Sequence, residues 1–359
     1  MRRKRNTQRY TAPWARKEVL ADKSMGDKLS KLRGEPIIYH CISKIVDNRA
    51  IFGMEEKEHF VRILRNYEQF SGLKILAYCV MPNHFHLLIE VPEPNPEILK
   101  WSDDRLLKHL SVLYNEDQAK VFIDELSYLR KLGDEEEIDA YRLSIVDRMW
   151  DISKFMHDIK MRFSHWYNRR VDRDGYLWSA NFRSTLVQRG HATRMVAAYI
   201  DLNAVRAELV EDPADYLWCS YGEAVAGSKK AREGLKTAIF GHPKPGSDEA
   251  ETPGTWEEAL QIYRSYLFPG KPKDEKPRDE DAPLSEAEML RHRVSYFTRG
   301  LVVGTEEFVE NAFELSRGNF SPRRQSGARK MREVETELRS MRDIRKNPIT
   351  PPRKPSGSK

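Results

Sequence analysis

The feature that most constrains this chain is the stretch YCVMPNHFHLLIE, residues 78–90. Two runs rich in aliphatic and β-branched residues, 73–80 and 84–91, flank the turn signal Pro82-Asn83, and this pattern predicts a β-hairpin. Strand side chains alternate between faces. His84 and His86 therefore point the same way, while Phe85 points to the other face and can fill a core. A strand this apolar with two imidazoles on one face needs a chemical reason as well as a packing one.

The flanking sequence predicts what the hairpin packs with. Residues 35–46 (EPIIYHCISKIV) read as a strand, and residues 54–70 carry apolar residues at helical spacing. Pro92 to Pro96 end regular structure, and residues 97–140 read as a charged, helical insertion. A helix follows over 151–170, then a short strand over 182–188 and a helix over 192–210. The expected fold class is α+β: a mainly antiparallel sheet with helices packed on it.

Residues 226–283 read as a helix followed by the Pro-rich charged linker PGKPKDEKPRDEDAP. Beyond it, Ser285-Glu286-Ala287-Glu288 is a capping-box pattern and Thr305 a second cap, which predicts a small helical module over 284–318. Residues 1–34 read as a mobile basic arm and residues 319–359 as a basic disordered tail.

Charge is distributed unevenly. Residues 1–34 hold eleven Lys and Arg against three acids, and residues 319–359 hold twelve against four. Each end is thus about +8 within an overall +6, so the middle is acidic. Basic ends are an electrostatic footprint of nucleic-acid binding, although they also serve solubility. No run of 18 apolar residues is present, and no apolar stretch follows the opening MRRKR, so neither a membrane span nor a secretory signal is expected. Three scattered cysteines, Cys41, Cys79 and Cys219, suggest no disulfide framework and fit a cytoplasmic setting.

Two imidazoles on one strand face can share a divalent cation, but most isolated histidines only pack, so the pair needs partners. Residues 199–209 (YIDLNAVRAEL) offer them. Tyr199 and Asn203 are four apart on a predicted helix and share a face. Asn203 can lend a carbonyl oxygen to a metal, Tyr199 a phenol nucleophile, and Arg206 a guanidinium for a phosphate. Packing of Tyr199 in the core is the plain alternative.

Taken together these residues resemble a known family. MPNHFHLLIEVP is similar to the histidine–hydrophobe–histidine motif of HUH endonucleases, and in particular of IS200/IS605-like single-tyrosine (Y1) transposases. The sub-group most resembled is the REP-associated tyrosine transposases, through IIYHCISK, GYLWSANFRS, YIDLNAVRAELV and the Trp218, Ser220, Tyr221 segment, in that order. The resemblance covers about residues 35–225. Ala204 stands where the family usually has proline, and the insertion is larger than in compact relatives.

The resemblance implies a ferredoxin-like sheet. It implies that His84, His86 and Asn203 bind Mg²⁺ or Mn²⁺ and that Tyr199 is the nucleophile. The substrate would be single-stranded or hairpin DNA, cut and rejoined through a 5′-phosphotyrosine, and relatives act as monomers or as homodimers. Arg162, Arg169, Arg170, Arg183 and Arg206, with Trp178, are candidate DNA contacts by basic and aromatic interleaving. Arg2, Arg3, Lys4 and Arg5 would add salt-dependent affinity. The main rival keeps the fold and drops the chemistry: a hairpin-binding regulator with weak or lost cleavage.

Overall fold

The computed structural model describes residues 36–92, 98, 100–133, 135–146, 148–241, 254–268 and 282–351. Its framework is a βαββαβ unit. Strand β1 (Ile37–Lys44) leads to helix α1 (Met54–Ser71), then to β2 (Lys74–Met81) and β3 (His84–Val91). Three inserted helices follow: α2 (Asp103–Leu110), α3 (Glu116–Leu132) and α4 (Glu135–Val146). Helix α5 (Ile152–Arg170) and β4 (Arg183–Val187) complete the unit. The strands lie in the order β2-β3-β1-β4 and every pair is antiparallel. This is the ferredoxin-like arrangement, and the fold is α+β as the sequence predicts.

Local chemistry explains the elements. Met81 pairs with His84, so Pro82 and Asn83 form the two-residue turn of the predicted hairpin. In α1, Phe60, Ile63, Leu64, Tyr67 and Phe70 form one buried stripe, and Gly72, at φ 69°, ends the helix in the left-handed conformation. In α5 the Asp151 carboxylate caps the backbone N–H groups of Ser153 and Lys154, while Phe155, Ile159 and Phe163 repeat every four residues on the buried face.

The two faces of the sheet meet different partners. One face, with Tyr39, Cys41, Phe85, Leu87 and Ile89, packs against α1 and α5 through Phe60, Phe155 and Phe163. The other face presents Ile38, Leu88 and Val187 to helix α6 (His191–Asp201). Behind α6 come α7 (Asn203–Arg206), α8 (Ser220–Val225), α9 (Lys229–Phe240) and α10 (Trp256–Leu267). The predicted helix over 192–210 is regular only as far as Arg206. At Leu202 it tightens, yet Arg206 N–H still reaches the Leu202 carbonyl at 2.9 Å, so α6 and α7 run on as nearly one helix. The inserted helices have a core of their own, with Leu106, Leu110, Leu126 and Ile145 packed beside Phe70.

The C-terminal region corrects the sequence reading. Helices α11 (Glu286–Leu290), α12 (Ser295–Arg299) and α13 (Glu306–Leu315) are present, but strands are interleaved with them. Of these, β5 (Arg293–Val294) pairs with β9 (Ile349–Thr350). Strand β6 (Val302–Gly304) joins β4 in parallel and carries β8 (Arg339–Ser340) and β7 (Arg329–Lys330) outward, making seven strands in all. Residues 319–351, expected to be disordered, bury Met331, Val334, Leu338, Met341 and Ile349. Each of these apolar residues stands alone among polar residues or proline, so no period betrays the strands, which are only two residues long and held by pairing: β8 to β6, β7 to β8 and β9 to β5. The arm 1–34, most of the linker and residues 352–359 lie outside the described residues.

Candidate active site

The polar side chains of the second sheet face converge beneath α6. On β3, His84, His86 and Glu90 share the parity of Leu88, and on β1 His40 shares that of Ile38. Ile42 stands opposite His86 and Lys44 opposite His84, so His40 lies diagonally across from His86. The rings of His84 and His86 are 5.0 Å apart. Tyr199, near the end of α6, approaches edge-on, with its ring 6.2 Å from His86 and 6.3 Å from His40. Residues more than a hundred positions apart in sequence thus meet in one cluster.

Hydrogen bonds hold the three histidines and Asn203. Asn83 Oδ1 contacts His84 Nδ1 at 2.5 Å, and Asn83 Nδ2 donates to the Asn48 carbonyl. With its oxygen so directed, Asn83 accepts from His84 Nδ1–H, which leaves His84 Nε2 as a lone pair. His40 Nε2 lies 2.9 Å from His86 Nδ1, and His40 Nδ1 lies 2.8 Å from the Phe297 carbonyl. Asn203 Nδ2 donates to the carbonyls of Ile200 and Tyr199 at 3.0 and 3.4 Å, which leaves its amide oxygen as the end turned from its own helix. Below Tyr199, buried Asp201 accepts from Tyr263 Oη at 2.6 Å and from Tyr221 N–H at 3.2 Å, and ties α6 to α8 and α10.

Burial and positive neighbours keep the imidazoles neutral. Desolvation lowers His40 to about 4 and His84 to about 3, the latter helped by Lys44 and Arg293. His86 is held well below its ordinary value by burial and by the two neighbouring histidines. Burial pushes the Asp201 carboxyl up to about 7. Neutral imidazoles are the form that ligates a metal. Among the described residues no group of three or more His, Cys, Asp and Glu could hold a metal ion. The hairpin supplies two imidazoles on one face, and Asn203, one helical turn beyond Tyr199, carries an amide oxygen; these donor types fit a divalent cation.

The expected contacts divide between the two faces. Arg183 lies on β4 opposite Ile42, on the histidine face, and is exposed. Arg206 is on the same side but is committed elsewhere. It is buried, donates to the Leu290 and Tyr199 carbonyls at 2.7 and 2.5 Å, and covers the Tyr199 ring at 4.0 Å. The expected phosphate grip by Arg206 is therefore corrected: it is buried, and both of its terminal nitrogens donate to carbonyls of its own fold.

Arg162, Arg169 and Arg170 sit on α5, against the opposite face, and Arg170 pairs with Glu55. Trp178 lies on that side too. Its indole N–H donates to Ser164 Oγ at 2.8 Å, and its half-buried ring packs edge-on against Phe85 on the α1 and α5 side of the sheet. Arg2, Arg3, Lys4 and Arg5 lie outside the described residues.

Sequence reasoning missed His40, Lys44 and Arg293. A histidine at the same parity as Ile38 and Ile42 in a buried strand was the available signal for His40. Lys44 needed the β1–β3 register and Arg293 the tertiary fold. The C-terminal region also covers Tyr199: Phe297 of α12 packs edge-on at 5.3 Å, and the tyrosine is only 4% exposed.

The model of the family described as IS200-like transposases matches residues 35–101. Over that stretch, which holds both histidines of the hairpin, the resemblance seen in the motifs is found again. Among solved structures, a REP-associated tyrosine transposase bound to a REP hairpin matches at 13% identity, over 61% of this chain and 92% of that one, with a TM-score of 0.34. No curated protein matches the chain. Among the described residues no helix is long and apolar enough to cross a membrane.

Proposed function

We propose that this protein cleaves and rejoins single-stranded DNA beside a hairpin, with Tyr199 as the nucleophile. The observation that carries the proposal is the convergence of His84, His86 and Tyr199 on one face of a ferredoxin-like sheet. Tyr199 Oη attacks the scissile phosphorus in line and loses its proton. The bond from phosphorus to the 3′ oxygen breaks, and that oxygen leaves as a protonated 3′-OH. The products are a 5′-phosphotyrosine and a free 3′ end. Attack by another 3′-OH on the phosphotyrosine rejoins strands and releases the phenol. The covalent link conserves the phosphodiester energy, so ATP is not needed, in keeping with a sequence that lacks a GxxxxGK[ST] motif.

A divalent metal held by His84, His86 and Asn203 would polarise a non-bridging phosphate oxygen and offset charge in the transition state. The chain's own residues do the rest. Asn83 fixes the His84 ring, Arg206 holds positive charge over the Tyr199 ring, and Lys44, Arg293 and Arg183 surround the site with charge complementary to a phosphodiester.

The test is a denaturing gel of the full chain with Mn²⁺ and labelled hairpin DNA taken from repeats flanking its gene. A DNA–protein adduct from wild type that is absent from Tyr199→Phe, with binding retained, supports the nucleophile. An adduct from Tyr199→Phe rejects it. One observation favours a second reading, that of a hairpin-binding regulator with weak or lost cleavage: Tyr199 is buried beneath Phe297. Phe297→Ala separates the two. Faster adduct formation identifies a covered nuclease, and tight binding with no adduct from either protein identifies the regulator.

A further inference from the structure

Phe297, His40 and His86 form a hydrogen-bonded line from the C-terminal region to the hairpin. The Phe297 carbonyl can only accept, so His40 Nδ1, 2.8 Å away, carries a proton. In a neutral His40 the other nitrogen, Nε2, is then a lone pair. It lies 2.9 Å from His86 Nδ1, which must therefore be the donor. The two rings are inclined by only 21°, so the Nε2 lone pair, which lies in its ring plane, can meet that N–H nearly head-on. The outcome is a His86 with Nδ1 protonated and Nε2 free. This is the tautomer His84 adopts through Asn83, so both imidazoles offer the same nitrogen.

We propose that His40 is a positioning residue that sets the tautomer and ring orientation of His86, and that the backbone of Phe297 in turn sets His40. The C-terminal region would then be part of the site, reaching it through one carbonyl rather than through a ligand of its own. His40 is 1% exposed, and the line passes wholly through the interior, so no solvent group competes for it. Residues that orient a metal-binding histidine through its second nitrogen act in this way, and their loss typically weakens metal binding about 10–100-fold. The metal part of this inference rests on the function proposed above, whereas the tautomer does not.

The experiment uses the full chain with ¹⁵N-labelled histidine, free of metal and DNA, at pH 7.5. Long-range ¹H–¹⁵N spectra distinguish protonated from unprotonated ring nitrogens, and the His86 signals are assigned by their loss in His86→Asn. The expected result is a single tautomer with Nδ1 protonated. A His86 protonated on Nε2 overturns the proposal.

In His40→Leu, both His86 tautomers should appear, and Mn²⁺ affinity by calorimetry should fall about 10–100-fold. Unchanged affinity and an unchanged spectrum in that variant also overturn it. His40→Gln can place an amide oxygen where it accepts from His86 Nδ1–H, so it should keep the tautomer and bind within about threefold of wild type. If His40→Leu fails to fold, the wild-type and His40→Gln spectra decide the matter. If wild type binds no Mn²⁺, the metal reading fails while the spectrum still judges the relay.

Discussion

Alternate residues of β3 meet opposite surroundings. Phe85, Leu87 and Ile89 are fully buried against α1 and α5, in a cluster of Phe52, Phe60, Phe163 and Trp178 rings. His84, His86 and Glu90 lie on the α6 side, where they make directed contacts such as His40 to His86 at 2.9 Å and Arg189 to Glu90 at 3.3 Å, beside the apolar Ile38, Leu88 and Val187 that pack on α6. The aromatic face gains stability through area removed from water, a non-directional effect. The polar face gains little net stability from its hydrogen bonds but fixes donors and acceptors in place. One strand can carry chemistry on its second face because its first face has already secured the sheet.

Substitutions on the two faces should separate these roles. The largest stability effect is expected for Phe85→Ala, which empties a fully buried site and should lower unfolding free energy by about 3–5 kcal/mol in urea titrations. His84→Ala, at a half-buried position, should lower it by about 1 kcal/mol or less while removing adduct formation. Equal losses at both positions would break the comparison.

A smaller effect should appear with pH in the metal-free protein. His40 is held at about 4 against an ordinary 6.5, so between these values the unfolded chain binds a proton that the folded protein does not. Its contribution to stability is complete above about pH 6.5 and is lost as pH falls toward 4, with a loss of about 2 kcal/mol by pH 5. Asp201, pushed up to about 7, has the opposite sign: its contribution falls as pH rises from about 4 to 7. The difference between wild type and His40→Gln isolates the histidine, and a difference independent of pH would contradict its buried neutral state.

The smallest effect concerns DNA. Arg183→Gln, on the histidine face, should reduce the slope of log affinity against log salt for single-stranded DNA by about 0.7, the value for one phosphate contact. Arg162→Gln and Arg169→Gln, on the α5 side, should leave that slope unchanged. The inverse pattern would move the DNA to the aromatic side of the sheet.

The framework was legible where local pattern and tertiary packing agree. The hairpin around Pro82-Asn83, the helix begun at Met54 and the Asp151-capped helix each bury a stripe whose period is visible in the sequence. The C-terminal region was not legible, because strands of two or three residues have no period and exist only through their pairing with strands distant in sequence. Arg206 misled for a related reason. An arginine looks the same in a sequence whether it faces a ligand or its own fold, and here both terminal nitrogens of Arg206 donate internally.

By itself, then, the sequence determined that His84 and His86 share a face, because strand alternation is a property of the backbone. It determined also that Tyr199 and Asn203 lie one helical turn apart, because that spacing is set by the helix. Only the tertiary structure decided which helix covers that face, that His40 stands between His86 and the Phe297 carbonyl, and that Phe297 closes over Tyr199. Those contacts join residues as far apart as 257 positions, and no local rule of chain geometry reaches across such a distance.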